Sequence, residues 1–199
     1  MKNLAIIPAL LLTLAVNLTA QEVENPTFAQ FVAQFPQASL PYSLDAQALT
    51  AKPAAKAARL DWQFYQFLPE LERTAQFSNM PVYPEPVAAF ETKENIAVLY
   101  NVARGANRNN TTAYTISVFD RAGNHIATHF VAGSNSKSLT TATINAHLNA
   151  EIKALPIIEG GLDNQEPSVR QLNLLTPSSP DQMEWSAVST NSGFGIAKN

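Results

Sequence analysis

The chain has 199 residues, of which 46% are apolar and 15% charged, with a formal net charge of −3 and no cysteine. That composition suits a folded domain rather than a solvated polymer, and its acidic balance offers no basic field to a phosphate backbone, which argues against nucleic-acid binding. Without a thiol there is no disulfide, thiolate zinc site, iron–sulfur cluster or cysteine nucleophile, so stability must come from packing.

Residues 1–20 have the layout of an export signal. Lys2 supplies a positive start, Leu4 to Val16 an apolar run, and Thr19-Ala20 a small-residue end suited to cleavage. The run is too short for a spanning helix, holds Pro8 and is closed by Asn17, so removal is expected rather than stable membrane insertion. Leu18 stands where a small residue is more usual, which leaves the cut site open. Since no cysteine follows, the mature protein cannot be lipid-anchored through one, and a periplasmic or secreted location is expected. The remainder, residues 21–199, reads as a single domain with a helical N-terminal region at 21–75 and an antiparallel sheet over 90–199.

Asn25 and Pro26 suit the start of a first helix that carries Phe28, Phe31, Val32 and Phe35 on one face and stops at Pro36. Such a stripe is expected to dock on its own domain. Leu40 to Leu44 then looks extended, and Ala46 to Ala58 reads as a connector with some helical propensity. Asp61 can cap a second helix, with Leu60, Phe64, Phe67, Leu68 and Leu71 as its apolar stripe and Pro69 limiting it. Trp62 and Tyr65 lie beside that stripe and are the candidate ligand-binding residues, because flat apolar rings suit sugar faces, although packing in the core competes with that role.

From Ile96 the period changes to two. Ile96 to Val102 and Ala113 to Phe119 alternate as strands on either side of a polar loop at 104–110, and Asp120 to Asn124 is a tight connection with Gly123 available for positive φ. His125 to Val131 follows, with Ile126 and Phe130 on one face and His125 and His129 on the other. Thr140 to Ala154 alternates throughout, as one strand with a wet face, which favours an antiparallel sheet over a doubly covered parallel one. Val169 to Leu175 reads as a strand, and Trp185 to Val188 with Phe194 to Ala197 as a closing hairpin. The fold class is therefore α+β, mainly β: short N-terminal helices packed on an antiparallel meander of about six to eight strands, curved or partly closed.

Chemistry is sparse. No Gly-x-Ser-x-Gly elbow exists, and Gly133-Ser134 reads as part of a hairpin loop rather than a nucleophile turn. If the loop centred near Ser136 joins an antiparallel pair, His125 faces His147 and the two imidazoles form a candidate metal site, with His129 about 13 Å along the strand and no third ligand in view. The acidic loop Glu159 to Glu166 lacks the alternating ligands and terminal Glu of a calcium loop. Glu91, Glu94, Asp120, Glu151 and Glu184 are available as carboxylates, but spacing singles out no catalytic pair. No phosphate loop or dinucleotide fingerprint is present, and no cofactor is expected.

The order of signal, Phe-rich helix ending in Phe35-Pro36, Leu40-Pro41-Tyr42, second aromatic helix, and a meander containing Val118-Phe119-Asp120-Arg121-Ala122-Gly123-Asn124 resembles uncharacterised exported β-meander proteins of Bacteroidetes-type bacteria. The resemblance implies export and a β-rich fold and brings no catalytic residues. The functional expectation is a non-enzymatic envelope or secreted binding module for a protein partner or glycan; the alternative is a small exported hydrolase whose site assembles only in three dimensions.

Overall fold

The computed structural model describes residues 25–50, 59–71, 82–104, 112–134, 138–158, 161–162 and 166–177. The expected signal at 1–20, the end of the connector at 51–58, the loop at 105–110, most of the acidic loop and the closing hairpin at 185–197 lie outside them.

Among these residues the chain is mainly β. Strands β1 (Tyr42–Leu44), β2 (Val82–Glu91), β3 (Asn95–Arg104), β4 (Thr112–Asp120), β5 (His125–Ser134), β6 (Ser138–Ile144), β7 (Asn149–Ile158) and β9 (Ser168–Asn173) form one antiparallel sheet, and the two-residue β8 (Gly161–Leu162) pairs with the end of β7. Consecutive hairpins order β2 to β7 in a meander, and β9 pairs beyond β7. β5 leaves β6 after only two pairs, Gly133 with Thr140 and Ser134 with Leu139, and β1 takes over the same side of β6, pairing Leu44, Ser43 and Tyr42 with Ala142, Thr143 and Ile144. The N-terminal segment thus completes a sheet that has bent away from itself.

Alternation gives the sheet two apolar faces. On the inner face Phe90, Leu99, Ile116, Val118, Val131, Ile144, Ile152 and Leu174 join residues of β1 to β7 in one core, as expected when a curved sheet packs upon itself. On the outer face Ala89, Val98, Tyr100 and Phe119 are covered by α1 (Phe28–Val32) and the 3₁₀ helix η1 (Trp62–Phe67). The apolar stripes predicted for both helices are the docked ones: Phe31, Val32, Phe35, Leu60, Phe64, Leu68 and Leu71 are buried. Phe31 lies at the centre of this layer, its ring 5.0 Å from Phe67, 5.3 Å from Phe35 and 5.9 Å from Phe119. α2 (Ala46–Thr50) begins the stretch expected to be a connector.

Three local expectations need correction. The first helix is capped by Thr27 rather than Asn25, because Thr27 and Gln30 form a reciprocal capping box in which each side chain accepts from the other's backbone N–H. The alternation from Thr140 to Ala154 is two strands, not one. Asn145 stops β6 by accepting on its side-chain oxygen from the N–H groups of His147 and Asn149, and Leu148 adopts φ 55 to close the turn. Finally, Gly133-Ser134 is paired strand, not loop.

β2 escapes the period-two reading because Pro84 and Pro86 interrupt it. Proline cannot donate to a ladder and is confined to edges. β2 is the edge beyond β3, and at Ala89 it also meets a parallel bridge from Gln37, with Ala89 N–H donating to Pro36 O at 2.7 Å and Ala38 N–H to Ala89 O at 2.9 Å.

Candidate functional site

The two histidines proposed as a metal pair do not share a strand pairing. His147 sits at the tip of the β6–β7 turn, while His125 begins β5 opposite Phe119, so the register that would set one against the other is not formed. Among the described residues no group of three or more His, Asp or Glu side chains is placed to hold a metal ion. His125 and His129 do not share a face either. Val118 pairs with Ala127 and Phe119 with His125, so Ile126 is an extra residue, and this bulge turns His125 to the helix-covered side and His129 to the inner side. His129 is 4% exposed, and burial pulls its pKa below the ordinary imidazole range, partly opposed by backbone hydrogen bonds with Thr176 and Leu174.

What the bulge does assemble is a polar cluster inside the outer apolar layer. Val98 pairs with Ser117 and Ser117 with Thr128, which puts the latter two side by side; Tyr100, two residues along β3, reaches Ser117 diagonally. Ser117 Oγ lies 2.9 Å from Tyr100 Oη and 2.8 Å from Thr128 Oγ1, and His125 Nε2 lies 2.7 Å from Thr128 Oγ1. Glu70, one turn beyond η1, closes the cluster from the helical layer. Its Oε1 accepts from the Tyr100 hydroxyl and from Ser117 Oγ at 3.4 Å, and its Oε2 accepts from Thr128 Oγ1 at 3.3 Å. When Thr128 donates to Glu70, His125 must donate to Thr128, which places the imidazole proton on Nε2. His125 is exposed as a residue, and the partial desolvation of its ring lowers its pKa and favours the neutral form. Tyr100 and Ser117 are wholly buried and Thr128 is nearly so; leaving one such hydroxyl unpaired costs about 1–3 kcal/mol, so the carboxylate and the hydroxyls stabilise one another.

Another carboxylate, Glu85 on β2, is buried and faces Asn101 on β3, whose Nδ2 donates to Glu85 Oε2 at 3.5 Å and whose Oδ1 accepts from Ala113 N–H at 3.1 Å. Tyr114 lies alongside, its pKa raised first by burial and then by the charge of Glu85 and by Tyr42. The carboxylates singled out from sequence are spent elsewhere. Glu91 pairs with Arg121 at 3.0 Å, Glu151 with Lys153 at 2.9 Å, and Asp120 accepts from the N–H groups of Ala122 and Asn124 within its own turn. Glu94 borders a solvent-open crevice of about 260 Å³ between the β2–β3 turn and the β6–β7 turn, together with Lys93, Asn95 and His147, while Glu184 is outside the described residues.

The aromatic pair divides. In a 3₁₀ helix residues three apart eclipse each other, so Trp62 and Tyr65 lie along one edge of η1. Tyr65 is half-buried against the outer apolar layer, whereas Trp62 is 77% exposed and is flanked by Gln63 and Gln66. Asp61 caps the helix, Phe64 and Phe67, also three apart, pack another edge into the outer layer, and Leu60 N–H donates to Pro84 O at 2.9 Å, so the helix bearing Trp62 is held from beneath. Sequence reasoning missed Glu70 and Glu85 because a carboxylate's neighbours across a sheet leave no trace in its own segment. No family model, curated protein or solved structure matches the chain.

Proposed function

We propose that the protein is an exported, non-enzymatic binding module that holds a glycan on the Trp62 edge of η1. The observation that carries this reading is an indole 77% exposed on a helix whose other side is anchored in the core. A rigid ring with amide side chains beside it offers a flat apolar face for the C–H groups of a pyranose and polar groups for its hydroxyls. Among the described residues the other large exposed apolar side chain is Val169, on β9, so these residues form no contiguous apolar surface around Trp62 of the size a stable protein interface needs. Residues 1–20 carry the export half of the proposal, and among the described residues no helix is long and apolar enough to cross a membrane.

Cosedimentation with insoluble cell-wall polysaccharides, combined with fractionation of the producing cell, tests both halves. Weaker binding in Trp62→Ala and recovery of the protein outside the cytoplasm are expected. Retention in the cytoplasm removes the export half, and equal binding by the variant removes the site.

The hydrolase reading draws on the 2.7 Å contact between His125 and Thr128. Thr128 is only 6% exposed and Ser117 has no exposure, so neither hydroxyl reaches a substrate carbon in this fold. Turnover in a hydrolase screen that is abolished by His125→Ala would reverse the order of the two readings.

A further inference from the structure

Three hydroxyls on neighbouring strands point to one spot of a face that is otherwise apolar. Tyr100, Ser117 and Thr128 come from β3, β4 and β5, surrounded by Val98, Phe119 and the phenylalanines of α1 and η1. The sheet's own hydrogen bonds do not require them there. What they meet is a carboxylate: one oxygen of Glu70 takes the Tyr100 hydroxyl and lies 3.4 Å from Ser117 Oγ, the other lies 3.3 Å from Thr128 Oγ1, and the single Ser117 proton serves Glu70 or one of its hydroxyl neighbours. His125 stands behind Thr128 with Nε2 2.7 Å from Oγ1, and the tautomer with its proton on Nε2 leaves the Thr128 proton for Glu70.

We propose that Tyr100, Ser117 and Thr128, backed by His125, form a carboxylate-binding site on the outer face of the sheet. Glu70 fills it as an intramolecular ligand, and the site takes a small monocarboxylate from solution once that side chain is removed. The chemistry selects the ligand. Neutral hydroxyls divided over two oxygens match the planar, singly charged carboxylate, which accepts on both oxygens. The site lies within a layer whose apolar anchors, Leu60, Phe64, Leu68 and Leu71, hold the η1 segment independently of Glu70, so removing the carboxylate leaves a lined vacancy rather than an open sheet. This site is separate from the Trp62 edge and does not depend on glycan binding.

Chemical rescue tests it. Glu70→Ala in the full chain is expected to lower the melting temperature by roughly 5 °C or more. Formate or acetate should restore at least half of that loss along a saturating curve, while chloride at equal ionic strength should not. The wild-type protein should show no such carboxylate-specific rise, since its site is filled, and Glu70→Ala combined with Ser117→Ala should lose the rescue. Should Glu70→Ala fail to fold in chloride, recovery of its native circular dichroism in acetate supports the site, and absence of recovery contradicts it. A response of equal size in chloride, or in the variant lacking Ser117, overturns the proposal.

Discussion

Two turns show how single residues set this chain's course. Asp120 to Asn124 and Asn145 to Asn149 have the same hydrogen-bond plan: an Asx side chain accepts from two N–H groups ahead of it, and the fourth residue takes positive φ. In the first turn that residue is Gly123 at φ 89, and a Cβ there would stand 2.7 Å from Cγ of Phe28. Gly123→Ala therefore combines left-handed strain with a clash against α1 and should cost about 1–3 kcal/mol, measured by urea denaturation. In the second turn the position is Leu148, which is 1% exposed; burial of its side chain in the inner core outweighs the roughly 1–2 kcal/mol of backbone strain. Because a leucine stands where turn rules ask for glycine, the break between β6 and β7 was not legible in the sequence, whereas Gly123 made the β4–β5 turn plain. His129 adds a pH dependence. Its folded pKa is lowered, so below the unfolded value of about 6.5 the unfolded chain binds more protons and stability falls as pH falls. Melting temperature should decline as pH falls below about 6.5, and His129→Gln should flatten part of that decline, with His125 supplying the rest in the same direction.

At the scale of elements, a period of two was read over β3 and β4 although each buries one face under helices and the other in the inner core, so that both faces are largely apolar. It misled where bulges break the count. Ile126 is one residue too many, so the side of the sheet that His125 faces could not be read from its spacing to His129. β2 was hidden by Pro84 and Pro86, which an edge position tolerates. The helical stripes were legible because 3.6-residue spacing of phenylalanines has few other uses, although five-residue α1 is far too short to be stable alone. Its stability is tertiary. Phe31→Ala should cost about 3–5 kcal/mol, since the ring is fully buried among Phe28, Phe35, Phe64, Phe67 and Phe119. Denaturant unfolding of that variant measures the loss, and a cost below about 1 kcal/mol would mean that α1 is not docked as described.

For the whole molecule, the mainly β antiparallel class followed from sequence because a period of two over long runs admits few other folds. The sites followed less well. Trp62, the proposed glycan anchor, could be singled out from its residue type and helical context, but the cluster around Glu70 depends on the alignment of three strands and a helix that no local pattern encodes. The aromatic layer and its anchors Leu60, Phe64, Leu68 and Leu71 hold η1, so the Trp62 edge is presented on a packed support, and the proposed glycan anchor relies on that support. Calorimetric titration of wild type and Trp62→Ala with the soluble form of the polysaccharide that cosediments best tests this account most directly. The account predicts that the substitution weakens binding by roughly 10- to 30-fold with an unchanged melting temperature. Equal affinity in the two proteins would contradict it.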